Sequence, residues 1–318
     1  MDTNTLMDQL LSNTAPHQIP DEVAILELRR WSVDELQRRL RKWLRAGSQA
    51  CETGFDHGEW SVREDHTLVR LPQGGRAEVY HASGALRLSS GAAPMENLFK
   101  EAPSRKELQE RTDRFVASLG VREQLGRAES LSFERLWQIK AAGEDRAGRR
   151  TDPVLCRAVG AYRHHIEGIP VYGPASVAVQ IAGDGRLDSV SMLLRGPTQE
   201  TLEHAKVLAP ERAARGLLQQ LASQFGQGRD PSRDTNRAEP RFECRDGLRL
   251  GYISLGKRKV QRLLAPVYVA TIDVTHEQES QGLVMVVAAT EKNYLPLNPP
   301  GSESLVSAVG KTALRKCC

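Results

Sequence analysis

Residues 156–195 decide the fold, and they read CRAVGAYRHHIEGIPVYGPASVAVQIAGDGRLDSVSMLLR. Side chains in the first part of this stretch alternate between two faces, which is the pattern of a β-strand. The chain turns at 168–170, where glycine tolerates unusual dihedral angles and proline fixes its own φ. A second turn lies at 183–185, where Gly-Asp-Gly is a hairpin signal. The stretch therefore predicts a three-stranded antiparallel meander.

Part of this stretch resembles a known family. Residues 162–173 read YRHHIEGIPVYG, and an alternating strand and an Asp-Gly-Arg-Leu hairpin follow. An aromatic residue before Arg, a Gly-Ile-Pro-Val-aromatic-Gly core and this hairpin are similar to the PepSY and FTP-type domains. Those domains occur in the propeptides of thermolysin-type proteases and in some regulators of bacterial sensor kinases. The resemblance is best over 156–195 and extends loosely over 104–292.

The resemblance implies both a fold and a kind of function. The fold it implies is α+β, with a helix lying on one face of an antiparallel sheet. The function it implies is binding or inhibition of another protein, because members of this family are mostly non-catalytic modules. We assign candidate binding residues to the same stretch, and they are Tyr162, His164, Ile169, Pro170 and Tyr172.

Composition narrows the class of protein. The chain has 318 residues, of which 40% are hydrophobic and 26% charged, as in soluble globular proteins. No apolar stretch approaches the roughly 18 residues of a membrane-spanning helix. The first residues lack the basic-then-apolar order of a secretory signal, so we expect a cytoplasmic protein, although the resembled family is often extracytoplasmic. A net charge of +4 is too small to predict a nucleic-acid partner.

The five cysteines indicate a reducing compartment. They are scattered singly except for the pair Cys317 and Cys318, and no Cys-x-x-Cys spacing occurs. Their odd number does not predict a disulfide framework. The terminal pair could bind a soft metal, form a disulfide with a partner or accept a lipid, or it could be an unmodified tail.

The N-terminal part reads as mainly helical. Residues 1–20 are polar and predict a loose arm, and Asp21 is placed to cap a short helix that ends at Leu28 or Trp31. Ser32 and Glu35 form a capping box for a second, amphipathic helix. The polar face of that helix is basic, which suits a solvated surface or an acidic partner. Its cations are Arg38, Arg39, Arg41, Lys42 and Arg45.

Strands and two further helices follow. Alternating segments separated by glycine turns predict a small meander at 67–71, 76–80 and 85–89. Ser104 and Pro210 each begin a helix, and each helix precedes a set of strands. This repeated order predicts two α+β units that resemble a tandem PepSY region. The predicted divisions are a helical segment 1–50, a β-meander 51–100, a first unit 101–200, a second unit 201–297 and a flexible tail 298–318.

The sequence contains no complete catalytic or cofactor motif. His276-Glu277 begins the zinc motif His-Glu-x-x-His, but residue 280 is serine. His164 and His165 are neighbours in a predicted strand, so they point to opposite faces and cannot chelate one metal together. No dinucleotide-binding, phosphate-loop or nucleophile-elbow pattern occurs, so the sequence predicts no cofactor and no catalytic residue.

The sequence as a whole predicts a non-catalytic binding or regulatory protein that recognises a protein or peptide. A protease inhibitor and a chaperone-like module are two forms of this function. One alternative is a membrane- or metal-associated accessory protein that uses Cys317, Cys318 and the basic helix. A further alternative is an enzyme assembled from residues that are distant in sequence. A nucleic-acid partner is not expected, and membrane contact is expected only if the terminal cysteines carry a lipid.

Overall fold

The computed structural model describes residues 3–12, 14, 19–51, 58–71, 74–93, 95–226, 240–276 and 279–294. These residues form a mixed α and β structure in which sheet predominates. The helices in the described residues are α1 (Thr3–Ser12), α2 (Val33–Cys51), α3 (Arg105–Ser118) and α4 (Pro210–Gly226). None of these helices is long and apolar enough to cross a membrane.

The described strands are numbered in chain order. The first half of the chain contains β1 (Glu22–Leu28), β2 (Glu59–Val62), β3 (His66–Arg70), β4 (Arg76–Tyr80), β5 (Leu86–Ser89), β6 (Glu129–Ala141) and β7 (Val154–Ile166). The second half contains β8 (Ile169–Tyr172), β9 (Val177–Ile181), β10 (Leu187–Met192), β11 (Pro197–Lys206), β12 (Arg241–Cys244), β13 (Arg249–Ile253), β14 (Leu263–Leu264), β15 (Pro266–His276) and β16 (Glu279–Ala288).

The chain forms two compact units. The larger unit comprises the described residues of Leu28–Thr198 and Ser254–Arg262. The smaller unit comprises the described residues of Met1–Glu27, Gln199–Ile253 and Leu263–Cys318. Both units are therefore built from segments that are separated in sequence.

The larger unit contains an antiparallel sheet that begins at β6. Its strands follow the order β6, β7, β9, β10, β5, β4, β3 and β2. β8 also pairs with β7, on the same side of β7 as β9. The predicted meander at 67–89 is confirmed as β3, β4 and β5, and β2 precedes it.

The meander predicted over 156–195 is confirmed. Its middle strand is interrupted, because β8 and β9 lie one after the other along the same side of β7, while β6 occupies the other side. Glu167 and Gly168 form a two-residue turn with φ angles of 52° and 80°, which suits a tight hairpin. β10 then pairs antiparallel with β9 after the predicted turn at 183–185.

Helices α2 and α3 pack on one face of this sheet. The apolar side chains of β3, β4, β5, β7, β9 and β10 point toward them and form one core. On this face α3 crosses Gly160 of β7, where an added Cβ atom would lie 2.4 Å from the hydroxyl oxygen of Thr112. The absence of a side chain at Gly160 is what allows the helix to approach.

Both predicted helix starts in this unit are confirmed. The Ser32 amide donates to the Glu35 carboxylate at 2.9 Å, and the Glu35 amide donates to the Ser32 hydroxyl at 3.2 Å. The Ser104 hydroxyl likewise accepts from the Glu107 amide at 3.2 Å. Each bond satisfies an amide that the first turn of a helix leaves without an intrahelical partner.

The smaller unit repeats the order of a helix followed by antiparallel strands. β12 and β13 pair in succession with one side of β15, and β16 pairs with the other side. β15 begins at Pro266, as expected for a residue that cannot donate a ladder hydrogen bond. α1 and α4 pack on this sheet around a core that includes Leu6, Leu10, Leu217, Leu221, Tyr268 and Ile272.

Two predictions for the first thirty residues are wrong. The expected loose arm contains α1, whose Leu6 and Leu10 are fully buried. The expected helix after Asp21 is β1, which pairs with β14 and neighbours β11. Residues 23–26 are buried on both faces of that strand, which accounts for their continuous apolar run.

The compact units also differ from the predicted divisions. The segments 51–100 and 101–200 share one sheet, because β5 pairs antiparallel with β10. The segment Ser254–Arg262, predicted within 201–297, belongs to the larger unit. Such pairings join residues that lie about one hundred positions apart, and local patterns carry no signal of them. The predicted tail 298–318 lies outside the described residues.

Replacing Gly160 by alanine tests the approach of α3 to β7. We expect Gly160→Ala to lower the free energy of unfolding by about 1–3 kcal/mol, because the new methyl group would overlap Thr112. Urea denaturation followed by circular dichroism measures this loss. Gly143→Ala is the control, since its nearest neighbour would lie at 3.5 Å. Equal stability of the two variants would contradict close packing at Gly160.

Candidate functional site

Tyr162 is part of the core and not of a binding surface, which corrects its assignment as a contact residue. Its side chain is fully buried, and its hydroxyl lies 2.8 Å from both the Thr112 hydroxyl and the Asp113 carboxylate. The ring of Phe133 meets it edge-on at a centroid distance of 5.7 Å. Burial raises the pKa of the Tyr162 hydroxyl, so it remains protonated and can donate to Asp113.

His164 is also enclosed, with 1% of its surface exposed, so it too is withdrawn from the contact residues. Its Nε2 atom lies 2.6 Å from the Glu129 carboxylate, and its amide donates to the Ser176 hydroxyl at 3.0 Å. These contacts join β6 to β7 and fix the start of β9. His165 points to the opposite face, as its place in a strand predicted, and burial lowers the pKa of its imidazole.

The remaining signature residues lie on β8 and are partly exposed. Ile169, Pro170 and Tyr172 are half-buried. The guanidinium of Arg163 lies 5.9 Å from the centre of the Tyr172 ring and 2.7 Å from the Glu134 carboxylate. The structure thus divides the candidate residues into a buried pair and a surface group on β8.

The described cysteines and acidic residues form no metal site. Cys156 and Cys244 are buried and unpaired, and burial raises the pKa of the Cys244 thiol. In the described part of the chain, no group of three or more His, Cys, Asp or Glu residues could hold a metal ion. Cys317 and Cys318 lie outside the described residues.

Packing partly buries one cation of the basic face predicted for α2 and leaves the others exposed. Arg39 is half-buried, its guanidinium lies 4.2 Å from the centre of the Trp31 ring, and it donates to the Gln124 side chain at 3.2 Å. Burial lowers the pKa of this guanidinium. The other cations of the face are exposed, and they are Arg38, Arg41, Lys42 and Arg45.

Strand β6 is a surface that sequence reasoning did not identify. It is 13 residues long and pairs with β7 along almost its whole length. Among the described residues it pairs with no other strand, so its second edge is open. One main-chain group of β6 has a side-chain partner, because Arg105 donates to the Leu136 carbonyl at 3.3 Å.

The outer face of β6 carries exposed apolar side chains. Trp137 and Ile139 are 43% and 45% exposed, and they share a face because they are two positions apart in a strand. The guanidinium of Arg135 lies 5.4 Å from the centre of the Trp137 ring. The combination of an open strand edge, an aromatic side chain and neighbouring charge is suited to contact with another chain.

The far end of the β6–β7 hairpin is fixed by local hydrogen bonds. The Asp145 carboxylate accepts from the amides of Ala147 and Arg149 at 2.9 Å each, and from the Arg149 side chain at 2.8 Å. These bonds, led by those with Arg149, lower the pKa of the Asp145 carboxyl group. Neither this ordered turn nor the full length of β6 was predicted. The alternation of side chains in residues 129–141, which is typical of a strand, was the signal that could have predicted β6.

Comparisons with known proteins find structural likenesses but no match in sequence. No family model matches this chain, and no curated protein matches it. Among solved structures, the chain is similar to an uncharacterized protein from Eubacterium rectale, with a TM-score of 0.50 and 12% sequence identity. The similarity covers 85% of each chain. At this identity the likeness concerns the fold alone.

Replacing Tyr162 by phenylalanine tests its structural role. We expect Tyr162→Phe to lower the free energy of unfolding by about 1–2 kcal/mol, because a buried hydrogen bond to a carboxylate is lost. Thermal and urea denaturation measure this change. Asp113→Asn is the matched variant, and it should have a smaller effect since its amide oxygen still accepts. An unchanged stability of Tyr162→Phe would contradict the assignment of Tyr162 to the core.

Proposed function

We propose that this protein is a non-catalytic binding or regulatory protein that recognises an extended segment of a protein partner at the open edge of β6. The observation that carries the proposal is the length of this edge, 13 residues, combined with exposed Trp137 and Ile139. An extended segment laid beside β6 would add a strand to the sheet. Its main-chain hydrogen bonds would provide affinity, and alternate side chains would provide specificity.

The contrast with other sheet edges supports this choice. β2, at the opposite end of the same sheet, has only four residues, and short edge strands are a common protection against unwanted pairing. In the smaller unit β16 pairs with β15, and its first four residues are exposed and carry no large apolar side chain. β6 is long and presents an aromatic side chain, a residue type enriched at binding hot spots.

The charges beside β6 suit reversible binding. Arg135 lies over Trp137, and Lys140 is exposed near the end of the strand. Charged side chains on an edge strand discourage pairing between identical copies of a protein. Arg135 also lies 3.8 Å from the Glu134 carboxylate, so a partner segment with an acidic side chain opposite Lys140 would best complement the charges of this strand.

The resemblance to PepSY and FTP-type domains supports the same class of function. Both units have a helix followed by antiparallel strands, α3 before β6–β10 and α4 before β12–β16. We propose that they are tandem units of this type. Because the resembled family consists mainly of binding and inhibitory modules, inhibition of a protease or a chaperone-like role are the two forms of the function that we favour.

Peptide selection tests the proposed function. We expect peptides of about six residues, the usual length of a strand, to be selected from a random library by the purified protein. Trp137→Ala should weaken their binding by about tenfold or more, because truncation of a hot-spot aromatic costs above about 1.4 kcal/mol. Fluorescence polarisation measures the dissociation constants. Circular dichroism verifies that the variant is folded.

Two controls distinguish recognition at the edge of β6 from nonspecific binding. Val62→Ala alters an apolar side chain on β2 that is 59% exposed, and it should leave binding unchanged. Hydrogen exchange should show new protection of β6 amides in the complex, since edge pairing occupies them. Protection confined to β2 or β16, or equal loss of binding in both variants, would disprove recognition at β6.

A further inference from the structure

A cleft of about 230 Å³ opens in the larger unit, on residues that the β6 proposal does not use. Its walls are the segments 28–31, 81–83 and 260–262, and Arg195 also lines it. Main-chain bonds hold these segments together: the Leu28 amide donates to the Arg262 carbonyl at 2.8 Å, and the Arg29 amide donates to the Gly196 carbonyl at 3.1 Å. The cleft is therefore formed by the fold itself.

The lining of this cleft is strongly basic. Its charged side chains are Arg29, Arg30, Arg195 and Arg262, and none of the described lining residues is acidic. Arg29 is partly neutralised, because its guanidinium lies 3.3 Å from the Glu35 carboxylate. No described carboxylate forms an ion pair with any of the other three. Three arginines thus line the cleft without an ion pair to a carboxylate of the described residues.

Arg195 is the buried member of this group, with 5% of its surface exposed. One of its terminal nitrogens donates to three carbonyl oxygens, those of Leu255 and Gly256 at 3.2 Å and of Lys259 at 2.8 Å. Its Nε atom is buried without a hydrogen-bond partner. Burial lowers the pKa of the guanidinium to about 10. A buried cation with only neutral acceptors is unfavourable unless an anion approaches it.

The aromatic side chains of the cleft form part of its walls. Both Arg29 and Arg39 stack on the Trp31 ring, with distances of 4.0 and 4.2 Å from guanidinium carbon to ring centre. The ring nitrogens of His81 are occupied, one by the Thr67 hydroxyl at 3.0 Å and the other by the Glu64 carbonyl at 3.1 Å. The His81 nitrogens are therefore not available for a new polar contact, and the arginines are the charged groups that would recognise a ligand.

We propose that this cleft binds the phosphate group of a small ligand. A phosphate monoester carries a charge of about −1.5 to −2 and three acceptor oxygens, which matches the group formed by Arg30, Arg195 and Arg262. A guanidinium binds such oxygens through paired N–H donors. The cleft is smaller than the roughly 300–1,000 Å³ of sites for drug-sized ligands, so it admits a phosphate and few further atoms.

The segment that forms the third wall of the cleft carries further positive charges, which make the local electrostatic potential more positive. Residues 257–262 read KRKVQR, which places Lys257, Arg258 and Lys259 close to Arg262 in the chain. Arg258 is partly neutralised, because it pairs with Asp65 at 3.1 Å. A cleft lined by charges of one sign concentrates ions of the opposite sign, which favours entry of a phosphate dianion over a neutral ligand.

Calorimetry with inorganic phosphate and pyrophosphate tests this site on the full chain. We expect saturable binding with a dissociation constant near or below about 1 mM, retained in about 150 mM sodium chloride, where the Debye length is about 8 Å. Arg262→Gln should weaken binding by about tenfold or more, because a charge-assisted hydrogen bond is lost. A short phosphoserine peptide is the second arm, and weaker binding of it than of pyrophosphate would identify a free small ligand as the source.

Arg186→Gln is the matched control, since Arg186 is an exposed arginine on the β9–β10 turn. It should leave phosphate binding unchanged. Arg30→Gln provides a second variant of the cleft with an exposed side chain, so that failure of one variant to fold does not remove the test. Absence of binding by both phosphate and pyrophosphate, its loss in sodium chloride, or equal weakening by Arg186→Gln would overturn the proposal. Tighter binding of the phosphopeptide than of pyrophosphate would overturn the small-ligand assignment.

Discussion

The approach of α3 to β7 at Gly160 is the contact on which the larger unit depends. Because this position has no side chain, Thr112 can lie directly on the strand and reach the Tyr162 hydroxyl. Strand β7 has partners on both sides, so its position fixes β6 on one side and β8, β9 and β10 on the other. Helix packing and sheet order are therefore linked through one glycine.

Local features of this architecture could be predicted from the sequence. Alternation in 156–195 and the turn residues Gly168 and Gly185 predicted the meander, since both signals depend on neighbouring residues alone. The capping residues Ser32 and Ser104 predicted two helix starts for the same reason. In contrast, β1 was predicted as a helix, because an apolar run beside a capping residue has no local feature that reveals burial on both faces.

The candidate sites were mostly beyond sequence reasoning. Whether a strand lies at an edge depends on pairings with distant segments, so the open side of β6 could not be predicted from its own residues. The arginine cleft brings together four parts of the chain, and Arg195 lies more than sixty positions from its acceptor Lys259. Tyr162 and His164 were assigned to a surface because their family signature carries no information on burial. Tyr172 combines that signature with an aromatic side chain that is partly exposed.

The insertion of Ser254–Arg262 into the larger unit has a consequence for synthesis on the ribosome. Residues 28–198 emerge before residues 255–259, yet the carbonyl groups that surround Arg195 belong to that later segment. Until that loop has left the exit tunnel, the guanidinium must stay hydrated, and the sheet around it cannot close fully. Domains usually fold in order as they are made. The larger unit therefore cannot be completed until residues 254–262 have been synthesised. Most of the chain must be translated before either unit is finished.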